Sequence, residues 1–204
     1  MSSIGILAYG SLIDDPGEEI QAVVLSKLEG VQTPFKVEFA RSSTGRSGAP
    51  TLVPVEEGGA CVKAVILVLK EQVAVDKAKD MLWRRETNQV FSSNSYEPSP
   101  NPGPDTVCIK ELRHFQSVET VLYTSIKPNI DGLTPRKLAR LAIDSVCKTE
   151  RGRDGISYLI NAKSNGIRTP LTLEYEKEIK RQTKTESLEE ALEKLQSSQH
   201  KHEC

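Results

Sequence analysis

The chain has 204 residues, and 52 of them are Leu, Ile, Val or Phe. About a quarter is above the roughly one-fifth below which chains stay unfolded, so composition excludes a wholly disordered protein. Lys and Arg number 27 against 28 Asp and Glu, a net charge of −1, which excludes the broad positive field of a nucleic-acid binder.

In chain order, Ile4 to Tyr9 is a short apolar run closed by Gly10-Ser11. Its lack of a preceding positive charge and its interruption by Gly5 and Gly10 predict no signal peptide. An amphipathic segment follows over Glu18 to Leu28. Phe35, Val37 and Phe39 alternate with Lys36, Glu38 and Ala40, the period-2 pattern of a half-buried strand. Further strands are predicted at Thr51 to Val55 and Ala60 to Leu69, punctuated by Gly45, Gly48, Pro50 and Gly58-Gly59.

Near Val75 the period becomes helical, with Val75, Ala78, Leu82 and Glu86 on one face. Residues 92–105 collect Ser, Asn and Pro, including Pro98, Pro100, Pro102 and Pro104, a loop long enough to suggest function or mobility. Thr106 to Leu112 and Glu119 to Ser125 read as the last strands. Thr134 is then a good N-cap with Pro135 at the first helical position, followed by the stripe Leu138, Leu141, Ala142 and Val146. Leu188 to Leu195 is a charged amphipathic helix, expected to pack on the body or on a second copy of the chain as a homodimer. Strands first and helices later predict an α+β fold, a small barrel or strongly curved sheet of six to seven strands with packed helices. The predicted organisation is one domain over residues 1–183, then a charged C-terminal helix and flexible tail over 184–204.

No run approaches the ~20 apolar residues that span a bilayer. The four cysteines lie at least 39 residues apart, so no C-x-x-C pair marks a zinc or dithiol site. Free thiols fit a reducing, cytoplasmic setting. The His200-Lys201-His202-Glu203-Cys204 ending is a weak metal-binding candidate set against a merely solvated tail. His114 has no Ser or Cys partner nearby in sequence, and neither a P-loop nor a G-x-G-x-x-G occurs. Chemistry is therefore expected to run on carboxylates and backbone amides, with no metal and no cofactor.

Three segments carry that expectation. Ala8-Tyr9-Gly10-Ser11-Leu12-Ile13 runs a strand into a flexible turn, where successive N–H groups can form a cradle for an oxyanion; the plainer reading is a tight turn. Glu86 lies on the core-facing row of its helix, where desolvation makes a carboxylate more ready to accept a proton; the plainer reading is a frayed end with Glu86 paired to Arg84 or Arg85 in solvent. The loop Arg41 to Pro50 carries two arginines and four hydroxyls, able to grip a carboxylate or simply to connect two strands.

Tyr9-Gly10-Ser11-Leu12-Ile13, Arg46-Ser47-Gly48-Ala49-Pro50 and the helix-borne Arg85-Glu86 resemble, in order and spacing, the γ-glutamylcyclotransferase superfamily, leaning to its ChaC-type branch that acts on glutathione. Asp154-Gly155-Ile156-Ser157-Tyr158-Leu159 is similar to a late segment of that branch. The chain departs from the branch at Asp14, where a Trp is usual, and after Glu86, where Thr-Asn-Gln-Val replaces a glycine-aromatic turn. The resemblance covers roughly residues 4 to 175 and implies cyclisation of a γ-glutamyl group to 5-oxoproline. It implies Glu86 as the catalytic base and the backbone of Gly10, Ser11 and Leu12 as the cradle. Tyr9 is placed beneath the site, Arg46 is a candidate for the substrate carboxylate, and Tyr158 either closes the pocket or is a core tyrosine. The alternatives are a γ-glutamylamine cyclotransferase, or a silent small-ligand-binding protein on the same fold. The expected partner is a small γ-glutamyl compound, with no nucleic acid and no membrane.

Overall fold

A computed structural model describes residues 3–199, which form seven strands and six α-helices, the last four helices following all the strands. The fold is α+β, as composition and periodicity predict. The chain divides into two units: residues 1–34 with 62–127, and residues 35–61 with 128–204. Residues 35–61 of the second unit are thus an excursion in sequence between two strands of the first.

The first unit is built on an open five-stranded sheet in the order β2-β5-β1-β7-β6. Its strands are β1 (Ile4–Ala8), β2 (Val24–Gln32), β5 (Lys63–Leu69), β6 (Cys108–Phe115) and β7 (Val118–Ser125). β1 is central, antiparallel to β5 and parallel to β7, and all five of its residues are buried. Ile6, Ala8, Leu67 and Leu122 of the sheet join Ala78, Met81 and Leu82 of helix α2 (Val75–Glu86) in one apolar core. The sheet edges β2 and β6 are not paired with each other, so the sheet does not close into the barrel that is one of the two expected forms.

β2 corrects the sequence reading of Glu18 to Leu28. Only Glu18–Gln21 is helical (α1), and the chain then pairs with β5 over Val24–Gln32. The apparent amphipathicity misleads because six consecutive β2 residues are exposed, so no alternation marks the strand. Bulges between Val24 and Ser26 and between Leu28 and Val31 interrupt its ladder. Such bulges blunt an edge against pairing with other strands.

The second unit pairs β3 (Val37–Ser43) with β4 (Ala49–Pro54) and adds α3 (Pro135–Val146), α4 (Gly155–Ser164), α5 (Thr172–Thr183) and α6 (Leu188–Gln199). Thr134 caps α3 as predicted, accepting from the Lys137 N–H, and Pro135 is the first helical residue. Asp154 caps α4, accepting from both the N–H and the hydroxyl of Ser157. Phe39 meets the rings of Tyr158 and Tyr175 edge-on, at 6.2 and 5.4 Å between centroids. The Glu38 carboxylate is buried there and accepts from the Phe39 N–H and the Thr169 hydroxyl; burial holds it above the usual carboxylate range. α6 packs on α3, α4 and α5 of its own unit, with Leu188 and Ala191 buried. The His200, His202 and Cys204 candidates lie outside the described residues.

Candidate functional site

Strand β1 delivers Tyr9 and the turn after it. Tyr9 is still extended, with its hydroxyl donating 2.9 Å to the Thr124 carbonyl of β7. Gly10 then takes φ +62, a left-handed value that side chains with a Cβ rarely adopt. Gly10–Leu12 form a single 3₁₀ turn, closed by the Ile13 N–H on the Gly10 carbonyl, while the Asp15 N–H binds the Ser11 carbonyl. The first N–H groups of such a turn find no acceptor inside it. A positive-φ residue followed by right-handed ones is the kind of backbone that converges N–H groups on an anion. Leu12 is buried in the core and anchors the turn.

Helix α2 brings Glu86 to the same place. Glu86 is the last helical residue, and the helix closes with the Thr87 N–H and hydroxyl both on the Trp83 carbonyl. The Glu86 side chain is 24% exposed and Arg85 is 14% exposed. The helix therefore does not fray before residue 86, and Glu86 does pair with Arg85, but in a half-buried setting and not in open solvent. The Arg85 guanidinium donates to Glu86 Oε1 at 2.6 Å, to Ser11 Oγ at 3.3 Å, and through two nitrogens to the Asp15 carbonyl at 2.6 and 3.1 Å. One planar group thus joins the end of α2 to the turn after β1.

Arg84 serves a different end. It makes a two-point ion pair with Glu19 of α1, at 2.7 and 3.1 Å, and donates to the Asn94 carbonyl. Glu19 also accepts from the Phe91 N–H, and its carboxyl is held below the usual range, chiefly by the Arg84 hydrogen bonds. The Asp80 carboxylate accepts from the Tyr96 N–H, and the Tyr96 hydroxyl accepts from the Ile109 N–H. The Pro-rich connection is pinned in this way along its first half.

In the first unit, then, five residues singled out from sequence fall together: Tyr9, Gly10, Ser11, Leu12 and Glu86. Arg46 and Tyr158 are placed together in the second unit, with the Arg46 guanidinium carbon 5.0 Å over the Tyr158 ring and its Nη1 donating to the Arg153 carbonyl. Tyr158 is buried and its hydroxyl accepts from the Leu52 N–H, which fits the core-tyrosine alternative. The sequence does not single out Asp15 or the Glu19–Arg84 pair, and it offers Arg85 only as part of a motif and as one of two possible partners of Glu86. The adjacent arginines preceding a candidate base were the available signal. Among the described residues no three His, Cys, Asp or Glu side chains are grouped to hold a metal ion, and no helix is long and apolar enough to cross a membrane. No protein-family model matches the chain, and no curated protein is significantly similar to it.

Proposed function

We propose that the chain is a γ-glutamylcyclotransferase that closes the γ-glutamyl group of glutathione or another γ-glutamyl amide to 5-oxoproline, releasing the amine or amino acid. The reading rests on the first unit alone. The observation that carries it is the half-buried Glu86 carboxylate, held by the same guanidinium that binds the Gly10–Leu12 turn at Ser11.

The reaction suits this inventory. The substrate's α-amine is tethered to its own γ-carbonyl, so proximity supplies much of the rate, with effective molarities of up to ~10⁵–10⁸ M in well-aligned cases. Glu86 takes a proton from the α-ammonium, the freed nitrogen attacks the γ-carbonyl carbon, and backbone N–H groups of the turn hold the oxyanion. The bond to the leaving nitrogen then breaks and Glu86 returns its proton there. In all, the ammonium gives up two protons and the departing amine gains two, leaving as an ammonium ion. No cofactor enters this scheme, and the free thiols Cys61, Cys108 and Cys147 suit a reducing cytoplasm.

The test is incubation of purified protein with a panel of γ-glutamyl peptides and amines, with 5-oxoproline measured by mass spectrometry. Release from at least one compound is expected. No release from any of them, at protein concentrations comparable to substrate, overturns the proposal, and saturable binding without release would favour a silent binding protein.

A further inference from the structure

Arg85 and Glu86 are neighbours on one helix, and side chains at i and i+1 leave a helix about 100° apart and do not normally face each other. Their 2.6 Å contact is therefore not a default of the helix. It forms because the Arg85 guanidinium is fixed elsewhere: Nε and Nη2 both donate to the Asp15 carbonyl, and Nη2 also reaches Ser11 Oγ. A planar fork bound through two of its three nitrogens has one orientation, so its remaining nitrogen, Nη1, presents a fixed point to the carboxylate. The stem of the side chain is also located. A Cβ added to Gly17, which has φ +80, would lie 3.1 Å from Arg85 Cγ, so the arginine crosses a notch that glycine leaves open.

We infer that Arg85 is the positioning residue of this site, using one guanidinium to set the Glu86 carboxylate against the Gly10–Asp15 turn. The inference rests on the cyclotransferase reading and deepens it. Arginine stays protonated at any working pH, so Arg85 neither takes nor gives the reacting proton. It fixes where the proton acceptor stands relative to the oxyanion donors, a distance on which a shift of about 1 Å costs on the order of 10²-fold in rate. Lysine cannot replace it, because a single ammonium cannot hold the Asp15 carbonyl, Ser11 and Glu86 together in one plane.

The test is a double-mutant cycle on 5-oxoproline release, with thermal melts run on every variant. Arg85→Ala is expected to lower kcat about 10²-fold with KM changed less than about threefold. In a Glu86→Gln background, the same change should cost less than about threefold more, because a residue acting through Glu86 has nothing left to position. Arg85→Lys, which keeps charge and stem, should still lose at least about tenfold in kcat, and it carries the test if the alanine variant does not fold. Equal losses in both backgrounds, or losses that merely track melting temperature, would make Arg85 structural and overturn the inference. Near-normal kcat in both Arg85 variants, beside an inactive Glu86→Gln, would overturn it while leaving the cyclotransferase reading intact. A parent protein that releases 5-oxoproline from no γ-glutamyl compound overturns both.

Discussion

A carboxylate on the last residue of a helix faces the negative end of the helix dipole, a place stability alone would not choose for it. Glu86 is there, and Arg85 at 2.6 Å supplies the compensating charge. Departures of this kind from local preference are expected where function overrides stability. If Glu86 is the proton acceptor, Glu86→Gln preserves shape and lowers turnover by at least ~10²-fold with the melting temperature retained. A glutamine variant of near-normal turnover would remove Glu86 from the mechanism. The turn makes the complementary case, since the proposed recognition there is by backbone. Ser11→Ala keeps its amide and is expected to keep most ligand affinity, measured by calorimetry. Gly10→Val places a β-branched residue at φ +62, where it fits poorly, and its bulk fills the approach to the N–H groups. Loss of one oxyanion donor costs on the order of 3 kcal/mol in acyl-transfer enzymes, so the Gly10 variant should lose binding and turnover together. The reverse pattern, with Ser11→Ala inert and Gly10→Val normal, would make the serine hydroxyl the essential contact.

At the scale of elements, α2 carries two adjacent arginines that work in different directions. Arg85 holds the turn after β1, whereas Arg84 clamps Glu19 of α1 and, through it, the Phe91 amide at the start of the long connection. The Arg84 and Glu19 side chains are only 10% and 14% exposed, so this pair is shielded from the screening that weakens surface salt bridges. Its stability has a definite pH sense. Glu19 titrates lower in the folded chain than in the unfolded one, so the contribution is full above the ordinary carboxylate range and is lost as pH falls through the depressed folded value. Glu19→Gln is therefore expected to be less stable than the parent at pH 7 by ~1.5–3 kcal/mol. The gap should narrow at pH 3, as thermal or urea melts at the two pH values will measure. A gap unchanged at pH 3 would show that the charge is not what Glu19 contributes.

For the whole molecule, the proposed reaction asks only for one proton acceptor and a few N–H donors. Turnover is therefore expected to be indifferent to EDTA. Loss on chelation with recovery on adding a divalent cation would contradict this and would direct attention to His200, His202 and Cys204.

Much of the architecture is written locally. Strand β1 is a continuous apolar run, α2 and α3 show helical periodicity, and Thr134-Pro135 marks the α3 start at the residue where it is found. These signals survive because burial of one face selects the apolar residues and capping is decided within one turn. Strand β2 was not legible, because its residues are mostly exposed and its place depends on a ladder to β5 some forty residues away in sequence. The same division holds at the candidate site. Residue types named Gly10, Ser11 and Glu86, since each has a chemistry or a backbone freedom that stands out on its own. Only the tertiary structure put one guanidinium on Glu86, Ser11 and the Asp15 carbonyl, and it sent the neighbouring Arg84 to Glu19 instead. The physical reason is that an arginine's partners are chosen by whatever acceptors the fold brings within reach of its long side chain, and two adjacent arginines look alike until the sheet and helix have met.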